Sequence, residues 1–262
     1  MDIRDVLPVE EAPKDSTIET IFNKQEELLS AYLNIEKLEP WPYDLNSPSH
    51  QIILKDFIAR VVEELGEGYE SYEALVNLHI NGQSENSNMI PLLFNFSEEL
   101  ADALHFLIET FIVCGITIND IREYIINQAF PNLVNSHNTY KLLAGSSYLI
   151  KVSHPGIMHN LGDPIVDSIL GGKWVDKSQL RELAILSWEV TYKLQLARNS
   201  LKNKPWKQSH MGSDKPRFTR YLIESLKAFI VLTRAMGITE DGLFQLYSAK
   251  NQINQFRIRS KY

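Results

Sequence analysis

The sequence predicts an all-α fold. Apolar residues recur every three to four positions along most of the 262-residue chain. Helical stretches open at Ser or Thr and stop at Gly, and the apolar–polar alternation of strands is nearly absent. With 44% hydrophobic and 23% charged residues, the composition is that of a globular protein with one large core or two modest ones. A net charge of −7 argues against a general nucleic-acid binder, which needs excess Lys and Arg. The single cysteine, Cys114, permits no disulfide within the chain and fits a reducing compartment. The acidic start, MDIRDVLPVEEAPKD, lacks the apolar core of a signal peptide. The longest apolar run, 100–118, is interrupted by Asp102, His105 and Glu109, so no transmembrane span is expected. The expectation is a cytoplasmic protein with neither membrane nor nucleic-acid partner.

Residues 1–16 read as a loose leader. A helix is predicted over 17–38, capped by Ser16 or Thr17, with Ile21, Leu28, Tyr32 and Ile35 at helical spacing. EPWPYDLNSPSH is a turn-rich connection. A second helix covers 51–78, with Leu54, Phe57, Ile58, Val61, Leu65 and Tyr72 near one face, and NGQSENSN is a loop. Ser97 is read as the cap of a helix over 98–114 that Gly115 ends; another helix fits 117–129. Residues 131–176 hold Pro, Gly and His in short clusters and read as irregular loops or a small strand pair. Helices resume over 178–202, then after a basic loop over 218–236 and 239–257.

The chain also echoes itself. LADALHFLIETFIVCGITINDI (100–121) resembles LIESLKAFIVLTRAMGITEDGL (222–243). Either both share a helix-stop pattern, or one domain spanning 1–262 contains two related units, 17–130 and 178–262, joined by an irregular connection over 131–177. Under the second reading Glu99 and Asp102 correspond to Tyr221 and Glu224.

Two acid pairs carry the chemistry. EELGE at 63–67 places Glu64 and Glu67 three apart on a helix, with Glu64 bordering the apolar face and Glu63 and Glu70 pointing to solvent. Gly66 and Gly68 each cost the helix about 1 kcal/mol relative to Ala, which suggests that something approaches this backbone closely. EELAD at 98–102 places Glu99 and Asp102 three apart on a helix that is apolar almost all round and therefore buried. Solvated faces, or complementarity to the helix dipole in the first turn and a half, are the plain explanations. A cluster of four carboxylates held by Mg²⁺, a hard cation with oxygen ligands, is the functional one. In the tail, LYSAKNQINQFRIRSKY puts Lys250, Asn254 and Arg257 on one stripe beside Tyr247. That is a phosphate grip, or a cationic helix end favoured by the macrodipole.

These motifs resemble the EExxE…ExxD signature of the all-α nucleoside triphosphate pyrophosphatases. ELADALHFLIETFIVCGI is similar to the dimeric dUTPase branch, including bacteriophage dCTPase–dUTPases, where ELxDxxHF is typical. YxxKNxxNxxR, matched by Tyr247, Lys250, Asn251, Asn254 and Arg257, resembles that branch's last motif. The gap between the acid pairs is longer here, residues 258–262 depart from the family's tail, and the Asn of the family's QxxLN is replaced by Leu29, though Gln25 fits its Gln.

The resemblance implies an all-α NTP pyrophosphatase-type bundle that hydrolyses dUTP to dUMP and pyrophosphate, with dCTP also accepted. It implies Mg²⁺ on Glu64, Glu67, Glu99 and Asp102, and Glu64 as the group that orients or deprotonates water. Gln25 would recognise the base, and Lys250, Asn251, Asn254 and Arg257 the phosphates and sugar, in a homodimer whose sites the partner completes. The alternatives are a pyrophosphatase for another nucleotide, or a non-enzymatic helical protein whose acids bind Ca²⁺ or nothing. His154 and His159 read as solvated loop residues, GGKW is no P-loop, and the basic loop with Lys202, Lys204, Lys207, Lys215, Arg217 and Trp206 reads as a solvated loop or a phosphate cover.

Overall fold

The periodic apolar stripes become helices whose lengths are set by packing. A computed structural model describes residues 17–33, 35, 37–83, 86–128, 177–204, 211–236 and 238–260. Among these residues there are seven helices and no strand: α1 (Thr17–Tyr32), α2 (Pro48–Ile80), α3 (Asn86–Val113), α4 (Ile118–Gln128), α5 (Lys177–Ser200), α6 (Lys215–Ala235) and α7 (Glu240–Ser260). The protein is all-α. The leader 1–16, the connection 131–176 with His154, His159 and GGKW, and Trp206 and Lys207 of the basic loop lie outside the described residues.

Helix α1 buries Ile18, Ile21, Phe22, Leu28 and Leu29 and stops at Tyr32, six residues short of the expected end. Lys37 takes a left-handed φ of 54°, and the Leu38 N–H donates to the Leu33 carbonyl at 3.0 Å. This left-handed turn past the helix end is made without glycine, so no glycine marks it in the sequence. Ile35 lies beyond the helix and is exposed. Helix α2 starts earlier than expected, with Pro48 at its first position, where a missing N–H costs nothing.

Helix α3 departs most from the sequence reading. It begins at Asn86, so Ser97 is no cap: fully buried in mid-helix, its hydroxyl donates back to the Leu93 carbonyl at 2.9 Å. Pro91 sits in the second turn and removes a single ladder bond there. The added turns are held by a separate apolar cluster of Leu75, Met89 and Leu93 between α2 and α3. Glycine is needed at 115 for two reasons. Its φ is 67°, and a Cβ there would lie 2.7 Å from Pro42 Cβ. Thr117 and Asp120 then cap α4 reciprocally, Thr117 N–H to Asp120 Oδ2 at 2.7 Å and Asp120 N–H to Thr117 Oγ1 at 3.2 Å.

Helices α2 and α3 form one hairpin, and α5 and α6 pair likewise; α1 and α7 pack on each other and on α3. The main apolar core runs from Ile18 through Phe57, Leu104 and Phe229 to Tyr247. The echoed segments make matching bonds at their junctions. Ile116 N–H donates to Phe111 O and Ile238 N–H to Thr233 O, both at 3.0 Å. Thr117 Oγ1 accepts from Asp120 N–H, and Thr239 Oγ1 accepts from Gly242 N–H at 3.0 Å. No single helix among the described residues is long and apolar enough to cross a membrane.

Candidate metal centre

The α2–α3 contact brings the acids together, and Gly68 permits it. A Cβ at Gly68 would lie 2.7 Å from Phe96 Cδ2 and 3.4 Å from Glu99 Cβ. What approaches the α2 backbone is therefore the Phe96 ring, and Glu99 follows it. Gly66 is exposed and faces open space, so its place in the helix has no such cause.

Glu64, Glu67 and Glu99 each place one carboxylate oxygen within 4.8 Å of the other two. Glu63 and Glu70 are exposed. Because α3 begins at Asn86, Glu98, Glu99 and Asp102 lie more than three turns inside it. The helix dipole acts within the first turn and so does not account for them. Asp102 is on the same face but makes a different contact: its Oδ2 is 2.5 Å from Lys250 Nζ of α7, with both side chains about five-sixths buried.

The electrostatics follow from this crowding. Burial, then the charges of Asp102, Glu67 and Glu99, push the Glu64 carboxyl from 4.5 up to about 7, against a smaller opposing pull from Lys250. Glu99 is raised by burial and by the neighbouring Asp102 and Glu67. Asp102 is raised by burial, with the Lys250 and Arg257 charges working the other way. Carboxylates crowded in this way repel one another, and a cation would relieve that repulsion. The donors are all oxygens, the kind a hard cation takes, and these three residues could hold one.

The predicted tail residues separate into two groups. Lys250 and Arg257 bring positive charge to the edge of the cluster, and Asn254 pairs with Arg257. Lys250 grips Asp102, Arg257 is exposed and donates to Asn254 Oδ1 at 3.4 Å, and its charge is felt at Asp102. Asn251 instead turns inward, where its Nδ2 donates to Tyr247 Oη at 3.2 Å and its Oδ1 accepts from Gln255 Nε2 at 2.8 Å. Gln25 joins this buried network, with its Oε1 accepting from Tyr247 Oη at 2.9 Å and its Nε2 donating to Glu109 Oε1 at 3.2 Å.

Glu109 and His105 were not singled out as site residues by sequence reasoning. They share the α3 stripe of Asp102; both interrupt an apolar run, and His105 is also the His of the ELxDxxHF match. The His105 ring stacks on Tyr247 with centroids 4.3 Å apart. Its Nε2 lies 3.3 Å from the Tyr247 carbonyl, so the proton resides on Nε2 and the buried Nδ1 has no partner. Burial holds the imidazole down near 3, hence neutral.

In the echoed unit, Glu224, the counterpart of Asp102, pairs with Lys193 (3.2 Å) and Arg220 (2.9 Å) and accepts from Tyr124 Oη (3.2 Å). Among the described residues, no second acid cluster forms there. The basic loop is partly anchored: Asn203 N–H donates to Gln51 Oε1 at 2.9 Å, and Lys55 Nζ donates to the Asn203 carbonyl. Lys215 and Arg217 line a cleft of about 870 Å³ with Tyr124, Arg220 and Tyr221, which shares no residue with the carboxylate cluster. Set against protein-family models, curated proteins and solved structures, the chain matches none of them.

Proposed function

We propose that the protein hydrolyses a pyrimidine deoxynucleoside triphosphate, dUTP before others, to the monophosphate and pyrophosphate, using Mg²⁺. One juxtaposition carries the reading. Three mutually repelling carboxylates on α2 and α3 stand beside a cationic stripe on α7, joined to it by the Asp102–Lys250 pair. The resemblance of both motifs to the all-α NTP pyrophosphatases points the same way.

Glu64, Glu67 and Glu99 would hold the metal, with Asp102 joining once the triphosphate competes for Lys250. Bound Mg²⁺ supplies charge neutralisation on the phosphates and acidifies water. Glu64 orients the attacking water and takes its proton as oxygen adds to the α-phosphorus and the bond to pyrophosphate breaks. Lys250 and Arg257 bind phosphate oxygens as charge-assisted donors, and Asn254 positions Arg257. The working unit is a homodimer in the cytoplasm.

The test is pyrophosphate release with dUTP, dCTP, dTTP and dATP under one Mg²⁺ condition. The expected order is dUTP first and dCTP measurable, with purines rejected by size. Preferred hydrolysis of dATP would sink the pyrimidine assignment. Release from none of them, with Mg²⁺ or Ca²⁺ still raising Tm, would leave a non-enzymatic metal-binding protein.

A further inference from the structure

The side-chain amide of Gln25 is held at both ends. Gln25, Tyr247 and Glu109 are 1%, 0% and 8% exposed, and the clamp they form is Glu109 Oε1, Gln25 and Tyr247 Oη. The order of its parts is fixed by chemistry. An ionised carboxylate only accepts, so in that form Glu109 requires the NH₂ end of the amide, the arrangement the structure shows. The Tyr247 hydroxyl already accepts from Asn251 Nδ2, which directs its own proton to the Gln25 carbonyl. Turning the amide over would set carbonyl oxygen against carboxylate oxygen and leave buried groups unmet.

We propose that Glu109 is a positioning residue that sets the base selectivity of the site by fixing Gln25 in one orientation. The proposal rests on the reading of Gln25 as the base-recognising residue. Uracil presents an acceptor at position 4 and a donor at N3; cytosine presents the reverse. With one N–H given to Glu109 and one lone pair to Tyr247, Gln25 keeps one donor and one acceptor. A freely rotating amide offers these in either order and serves both bases. A clamped amide offers a single order to a base that reaches it, and an unmatched buried group rejects the other base. Leu29, apolar and 1% exposed, cannot fix the base from its own side. Glu109 fixes the reader instead. It stands seven residues beyond Asp102 on the same stripe of α3, about 10 Å along the axis, so one helix addresses both the phosphate end and the base end of a nucleotide.

The experiment compares kcat/KM for dUTP and dCTP in wild type and Glu109→Gln, whose side chain both donates and accepts and so releases the clamp. The wild type is expected to prefer one base at least tenfold, and the variant to bring the ratio within threefold. In ¹⁵N-labelled protein the Gln25 amide resonance, identified by its loss in Gln25→Leu, is expected to exchange with solvent at least tenfold faster in the variant. Tyr247→Phe removes the other end of the clamp, is expected to narrow the ratio at least threefold, and replaces Glu109→Gln should that variant not fold. A wild-type ratio within threefold, a ratio unmoved by the variants, or unaltered amide exchange overturns the proposal. If the wild type releases pyrophosphate from neither nucleotide, the hydrolysis reading has failed by itself. The ratio is then taken from the Kd of dUMP and dCMP followed at the same resonance, with the same outcomes deciding.

Discussion

Replacing Glu64 by Gln should stabilise the metal-free protein above about pH 4.5, and most at neutral to alkaline pH. In the folded chain this carboxyl is raised from 4.5 to about 7 by burial and by the charges of Asp102, Glu67 and Glu99. Below pH 4.5 both folded and unfolded chains carry the proton. Between 4.5 and 7 the folded state alone keeps it, so stability falls as pH rises, and above 7 the penalty is complete. The raised value corresponds to about 3 kcal/mol; Glu64 is only partly buried, and solvent screening reduces this to ~1–2 kcal/mol. A neutral isostere escapes that penalty. For a chain of this size each kcal/mol moves Tm by roughly 2–4 °C. Urea and thermal unfolding in a chelating buffer should therefore show Glu64→Gln equal to wild type near pH 4.5 and more stable at pH 8. Mg²⁺ should narrow the difference by stabilising the wild type through mass action. A variant less stable than wild type at pH 8 without divalent ions would refute the claim that the carboxylates repel one another.

Asp102→Asn should cut turnover by at least about 10²-fold, some 3 kcal/mol, by removing the carboxylate that joins the metal once Lys250 turns to the phosphates; near-normal kcat would remove Asp102 from the metal and phosphate site. Arg257→Ala should lower kcat/KM by about 10–100-fold while leaving Tm in place, because the side chain is exposed; unchanged kcat/KM would end the phosphate-grip reading. Gly68→Ala should destabilise by about 1–3 kcal/mol, since its methyl would meet the Phe96 ring. Gly66→Ala should stabilise by up to ~1 kcal/mol, with nothing within 4 Å of the added carbon. Equal effects of the two glycines in urea unfolding would contradict the close α2–α3 approach at Gly68.

The sequence by itself determined the all-helical class, the apolar faces of α1 to α3, the stop at Gly115, and the spacing that puts Glu64 with Glu67 and Glu99 with Asp102. Each is a property of one segment: a helix repeats every 3.6 residues whatever surrounds it, and only glycine takes a positive φ without strain. Tertiary packing decided how far α3 extends, because a serine serves equally as a cap or as a mid-helix back-bonder, and Leu75 on α2 is what holds Met89 and Leu93 in helix. It also decided which acids meet. Spacing gives an angle around one axis, but not which axis lies opposite. Thus Glu99 joins Glu64 and Glu67 through Gly68 and Phe96, while Asp102, on the same face, goes to Lys250, 148 positions later in the chain. Gln25 shows the same limit: its residue type suits a base, and only the fold places Glu109 and Tyr247 where they fix which end of its amide faces which way.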